Sequence, residues 1–348
     1  MNRLHFPPLW RALATEDPDR VLCRVILQEK GRYQVVTEDG CEQPAVVSGR
    51  FRYDVETLSD YPAVGDYVMA EPNPNGAAVI HAVLHRKSVF VRKAAGTARE
   101  EQVVAANLDK VFLCMALNLD FNLRRLERYL TVAWDSGATP VVVLTKADLC
   151  QDLSQRLAQV EDIAMGAEVL VTSALAGDGY DALLAQLTPG TTVAFVGSSG
   201  VGKSTLINRL LGEERLATNC LRSDDKGRHT TTHRALLALP NGALVIDTPG
   251  MRELGLWDAG EGMDAAFGDV AALTQRCRFH NCSHTSEPGC AVRAALADGS
   301  LSAERWSSYL KLAAENAYAQ DAGGYLASKE RKFKEIAKVN KANRHKKP

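Results

Sequence analysis

Gly197-Ser198-Ser199-Gly200-Val201-Gly202-Lys203-Ser204 follows the apolar run Thr192 to Val196 and opens the helical run Thr205 to Leu211. A glycine-rich turn between strand and helix lets the backbone curl, so that successive N–H groups point at phosphate oxygens at a helix N-terminus. Lys203 is placed to neutralise the β and γ phosphates, and the Ser204 hydroxyl to ligate Mg²⁺. The eight residues, with Thr205 after them, are therefore predicted to cradle a nucleoside triphosphate, and the strand and helix on either side make a chance match a poor alternative.

Working outward, Ala243 to Ile246 is an apolar strand that ends on Asp247-Thr248-Pro249-Gly250. A carboxylate at a strand end next to a phosphate loop suits the outer shell of the Mg²⁺, and the Gly250 N–H can sense the γ-phosphate. Between the two motifs lies Gly227-Arg228-His229-Thr230-Thr231-Thr232. One threonine of this loop can bring its hydroxyl onto the Mg²⁺ when the triphosphate is bound; Thr231 is favoured, with Thr230 as the alternative and a merely helix-capping role competing with both.

Upstream, Val141 to Leu144 leads into Thr145-Lys146-Ala147-Asp148. A carboxylate at position 148 can accept both the ring N–H and the exocyclic amine of guanine, a donor pair that adenine lacks. Val169 to Val171 leads into Thr172-Ser173-Ala174, where the backbone around Ser173 and Ala174 can support the guanine oxygen. The base-reading segments thus precede the phosphate segments, the reverse of the usual order, while each keeps its strand-to-loop setting. A P-loop ATPase or small-molecule kinase is disfavoured by Asp148, and a module that binds nucleotide with scarcely any turnover is the other competing reading.

From residue 101 onward, apolar runs alternate with helical patterns: Val111 to Leu117, Leu123 to Ser136, Val141 to Leu144, Leu153 to Met165, and so on to Ile246. Such alternation predicts an α/β domain with a mainly parallel sheet. Five short alternating runs between Val21 and Leu84, with turn signals such as Glu38-Asp39-Gly40, predict a small barrel of the OB-fold kind, with Arg50, Arg52 and Tyr53 near an RNA-binding face. Arg86 to Glu101 is polar, contains Gly96, shows little period, and reads as a linker. The chain is accordingly divided into a barrel with an N-terminal extension at 1–90, a linker at 91–100, the permuted nucleotide domain at 101–253, a mostly helical domain at 254–328 and a basic tail at 329–348.

The 348 residues are 46% hydrophobic with a net charge of -1, enough for several buried cores. That average hides nine Lys or Arg against two Glu from Lys329 to Pro348, a tail suited to rRNA. No run of about 18 apolar residues is present to span a bilayer, and Met1 to Arg20 lacks the order of a signal peptide. Cys23, Cys41, Cys114, Cys150 and Cys220 are scattered, whereas Cys277, Cys282 and Cys290 cluster with His280 and His284. Three thiolates and an imidazole favour one closed, structural, tetrahedral Zn²⁺ per chain, and thiols otherwise scattered suit a reducing cytoplasm.

Taken together, the motif order, the Gly-Arg-His-Thr-Thr loop, Asp-Thr-Pro-Gly at 247–250, the OB-like start and the cysteine cluster resemble the RsgA/YjeQ family of ribosome small subunit-dependent GTPases, which are circularly permuted. The resemblance covers nearly the whole chain. It implies a monomeric GTPase, using Mg²⁺ with GTP and GDP, that binds the small ribosomal subunit and its rRNA and acts late in subunit maturation. It selects His284 through the Cys-x4-Cys-x-His-x5-Cys spacing. It also implies that His229 orients the attacking water, because the position after Gly250 is Met251 and not the Gln that many GTPases use.

Overall fold

Short runs with period-two alternation pair into a closed barrel when the inward set is apolar throughout. Strands β1 (Val21–Glu29), β2 (Arg32–Thr37), β3 (Glu42–Val47), β4 (Tyr67–Glu71) and β5 (Ala78–Val83) do this in the order β1-β2-β3-β5-β4, and β4 returns to β1. Only β3 and β5 run parallel, with Ala45 opposite Ala78. Cys23, Val25, Val35, Ala45, Val68 and Ile80 fill the interior. This is the OB-like arrangement. The structure, a computed structural model, describes residues 6–14, 19–29, 31–93, 101–173, 176–214, 216, 234–247 and 260–320. The chain separates into two units, 1–255 and 256–348.

Two short helices dress the barrel. α1 (Pro8–Leu13) lays Trp10 on the Tyr67 ring at 4.4 Å. α2 (Gly49–Asp54) starts where the Ser48 hydroxyl accepts from the Phe51 N–H at 3.0 Å, an ordinary N-cap.

The segment read as a linker is more ordered than its composition suggests. β6 (Val89–Lys93) pairs antiparallel with β7 (Glu101–Ala106), and Val89 and Val91 pack against Ala63, Val103 and Ala106. The five residues of β6, which end on Arg92 and Lys93 and follow Arg86 and Lys87, carry too little apolar signal to be read as a strand, but a partner across the hairpin supplies the missing hydrogen bonds.

The nucleotide sheet has the order β10-β9-β8-β11-β13-β12. Its strands β8 (Lys110–Ala116), β9 (Thr139–Thr145), β10 (Glu168–Val171), β11 (Thr192–Val196) and β13 (Leu244–Asp247) are parallel, and β12 (Arg234–Ala238) runs antiparallel at the end. The central strands are buried along almost their whole length, as expected of a sheet covered on both faces. Helices α3 (Leu123–Asp135), α4 (Leu153–Glu161), α5 (Tyr180–Ala185) and α6 (Lys203–Leu211) connect them. On α3 the buried Leu126, Tyr129, Leu130 and Ala133 follow the helical period, and Asn122 caps its first turn.

β1 joins the two sheets of the first unit. A register shift between Val25 and Leu27 bends the strand, so its first half closes the barrel on β4 while Leu27 and Gln28 pair with Ala235 and Arg234 of β12. Arg24 lies in this seam, 1% exposed, with Nη2 donating to Thr192 Oγ1 at 2.8 Å and its guanidinium over the Tyr67 ring.

The second unit is helical: α7 (Gly260–Ala266), α8 (Gly268–Gln275), α9 (Ala291–Asp298) and α10 (Ala303–Gln320), with the cysteine-rich loop between α8 and α9. Arg305 of α10 crosses its core, over the buried Phe267 ring, and donates to both Asp269 oxygens at 2.7 Å. The basic tail at 329–348 lies outside the described residues.

Candidate nucleotide site and metal centre

A parallel sheet presents the loops after its strands along one edge, and ligands of such sheets bind there. The carboxyl ends of β8, β9, β10, β11 and β13 all lie on that edge, and the residues that follow β9, β10 and β11 there belong to the sequence motifs. The loop after β11 needs glycine at its first position: a Cβ on Gly197 would lie 2.4 Å from the Cys114 carbonyl oxygen. Gly200 and Gly202 take φ of 75° and 108°, in the left-handed region where glycine is at no steric disadvantage. Lys203, first residue of α6, donates to the carbonyls of Gly197 and Ser198, both at 2.7 Å. Ser204 and Thr205 stand in the same first helical turn, and Ser199 is at the exposed crest of the loop.

The base-reading loop is tied to this one by two side chains. Thr145, buried at the end of β9, donates its hydroxyl to the Val201 carbonyl at 2.6 Å. Lys146, at φ 58°, donates its ammonium to the Gly200 carbonyl at 2.8 Å. Ser173, at the end of β10, donates its hydroxyl to Asp148 Oδ1 at 2.5 Å, which orients the carboxylate at the next loop. Thr145, Lys146, Asp148, Ser173 and the residues 197–204 are thus brought to one place. Asp247 ends β13, the strand beside β11. Ala174, His229, Thr230, Thr231, Gly250 and Met251 lie outside the described residues.

Sequence reading missed the loop after β8. Asp120 there accepts from the Ser198 hydroxyl of the phosphate loop and from Arg125 of α3 at 2.8 Å. The signal that finds it is topological, since every loop following a parallel strand reaches the same edge.

In the second unit the donor atoms of Cys277, Cys282, His284 and Cys290 lie within 4.8 Å of one another. His284 Nδ1 is 3.5 Å from the Sγ atoms of both Cys277 and Cys290, which are 3.9 Å apart. A tetrahedral ion bonded at about 2.3 Å to sulfur and about 2.0 Å to nitrogen sets ligand atoms roughly 3.5–3.8 Å apart, so the set fits a metal ion. His284 holds a left-handed φ of 59°, with its ring against the Trp306 face edge-on at 5.4 Å. Cys290 also caps α9, its sulfur accepting from the Arg293 N–H at 3.5 Å. His280 is not in the cluster.

A glycine-rich loop of P-loop pattern beside the Thr-Lys-x-Asp turn, on one sheet edge and in rotated chain order, is the arrangement of a circularly permuted P-loop GTPase. The family profile described as RsgA GTPase matches residues 83–257. Two relatives are the small ribosomal subunit biogenesis GTPase RsgA 2 of Lactiplantibacillus plantarum, 52% identical over 87% of this chain and 86% of its own, and RsgA of Opitutus terrae, 53% identical over 85% and 83%. The crystal structure of YjeQ from Thermotoga maritima matches with a TM-score of 0.62 at 28% identity, over 84% of this chain and 97% of that one. YloQ, a circularly permuted GTPase, shares the fold with a TM-score of 0.60 at 23% identity, over 89% and 99%. The chain belongs to the RsgA GTPase family, and it is a GTP hydrolase.

Proposed function

We propose that this GTPase binds the small ribosomal subunit and acts late in its maturation, hydrolysing GTP to GDP and phosphate when the subunit orders its catalytic loop. The observation that carries the reading is the joining of base and phosphate loops through Lys146 and Gly200, in a chain whose relatives bear the subunit in their names. In this reading residues 1–90 form the RNA-facing barrel, 91–100 join it to the GTPase domain at 101–253, 254–328 form the zinc domain, and 329–348 are a basic arm on rRNA. The protein works as a cytoplasmic monomer; among the described residues no helix is long and apolar enough to cross a membrane.

Asp148 and the backbone at Ser173 and Ala174 read guanine, and the N–H groups of 197–205 with Lys203 hold the phosphates. The hydroxyls of Ser204 and Thr231, with Asp247 behind them, are the hard oxygen donors suited to Mg²⁺, which when bound neutralises charge across the β and γ phosphates. Gly250 reports the γ-phosphate, and His229 orients the attacking water. Zn²⁺ at Cys277, Cys282, His284 and Cys290 is structural, since three thiolates and one imidazole leave no open position.

Steady-state GTP and ATP hydrolysis, measured for the protein alone and with small or large subunits in moderate salt, tests the reading. GTP-selective stimulation by small subunits alone is expected. Turnover indifferent to both subunits, or equal use of ATP, would overturn it.

A further inference from the structure

We propose that Asp120 is a positioning residue for nucleotide binding, which holds the phosphate loop in its binding shape by fixing Ser198. The inference rests on reading Gly197–Ser204 as the phosphate loop. A loop with left-handed glycines at 200 and 202 has many alternative shapes, and holding it in one shape before the ligand arrives removes part of the entropy lost on binding. Side chains from two neighbouring loops do this. Lys146 and Thr145 take the carbonyls of Gly200 and Val201 on the base side. On the other side, one Asp120 oxygen accepts from the Ser198 hydroxyl, and Ser198 in turn offers its carbonyl to the Lys203 ammonium at 2.7 Å.

A carboxylate beside a polyphosphate site would repel the ligand if left uncompensated. Arg125 offsets it, donating from Nη2 to Asp120 Oδ1 at 2.8 Å and to the Asp120 carbonyl at 2.5 Å. The Asp120 N–H closes a turn on Asn118 Oδ1 at 3.0 Å, so the side chain is held from both ends. Burial pushes the carboxyl up, but the Ser198 hydroxyl, the Arg125 bond and charge, and Lys146 outweigh it, leaving it below the usual carboxylate range and charged at neutral pH. A hydrogen bond from a hydroxyl to an ionised carboxylate is among the stronger ones available. Because Ser198 lies at the start of the loop, the effect falls on the binding of GDP and GTP alike rather than on the transition state.

The test is binding of fluorescent GDP and a GTP analogue to the full chain, with intrinsic steady-state turnover. Asp120→Ala is expected to weaken both nucleotides roughly five- to tenfold and to raise KM, with kcat within about twofold. Asp120→Asn keeps an acceptor oxygen and recovers most of the loss. Ser198→Ala matches Asp120→Ala, and the double variant is no weaker than either. Unchanged binding in Asp120→Ala, additive losses in the double variant, or a fall confined to kcat would overturn the proposal. If Asp120→Ala fails to fold, Ser198→Ala, which removes only a hydroxyl, decides it by the same readouts. Lys203→Ala separates the two levels: full affinity in that variant would refute the phosphate-loop reading itself.

Discussion

Lys146 bridges from the turn that carries Asp148 to the Gly200 carbonyl, 2.8 Å away, so one side chain holds the base-reading loop and the phosphate loop in fixed relation. Its left-handed backbone aims the chain across the gap. Lys146→Met is expected to weaken GTP and GDP together by roughly tenfold, the loss of one hydrogen bond from a charged donor. Competition binding checks this; a loss confined to GTP would place Lys146 at the γ-phosphate instead.

Asp148 Oδ1 accepts from the Ser173 hydroxyl at 2.5 Å, which orients the carboxylate proposed to read guanine. Asp148→Asn replaces an acceptor with an amide donor opposite the guanine amine. The expected outcome is a loss of GTP affinity of at least about a hundredfold and a gain for xanthosine triphosphate, whose 2-oxo group accepts where guanine donates. Parallel titrations with the two nucleotides measure it.

The glycine-rich loop at 197–204 and its neighbouring Thr145–Asp148 turn were legible as motifs because their chemistry restricts residue types over a few consecutive positions. The need for glycine at 197 and the short strands Tyr67–Glu71 and Thr192–Val196 follow from local pattern, although the Cys114 carbonyl that crowds Gly197 does not. What escaped depends on partners distant in sequence. Arg24 sits at an outward position of β1, where alternation predicts solvent, yet it is buried against Thr192. Asp120 is a single aspartate in a turn until β8 is placed beside β11. The hairpin of Val89–Lys93 and Glu101–Ala106 likewise carries its information in the pairing and not in either strand.

The cluster of Cys277, Cys282, His284 and Cys290 gathers four donors on a loop with little core of its own. Metal binding and local folding should therefore be one event. Elemental analysis is expected to find about one zinc per chain, and Cys282→Ser to abolish it with loss of amide protection across 276–298. Retained protection in a zinc-free variant would contradict this.

Asp269 gives the second unit an acid limit. Burial raises its carboxyl, but the two-pronged Arg305 bond, the Arg305 charge and backbone donors together hold it below its ordinary range. A depressed folded value means the stabilisation is complete above the unfolded carboxylate value, about 3.9, and is lost as pH falls through the folded one. Protection factors in 260–275 and 303–320, away from the metal loop, should hold from pH 7 to about 4 and then decline. Arg305→Met should lower them near neutrality and flatten the acid decline; an unchanged decline would assign it to other groups.

The bend that lets Leu27 and Gln28, still paired with β2 on one edge, meet Ala235 and Arg234 on the other also sets a timetable for synthesis. The barrel strands are made early, and β1 can close on β4 as soon as Ala70 has emerged, but the far half of β1 keeps an unpaired edge until β12 has been translated. An edge strand waiting on a distant partner is slow to be covered and open to wrong pairing. A nascent chain stalled anywhere between the barrel and β12 would therefore expose that edge, because one of the earliest segments of the first unit pairs with one of its latest.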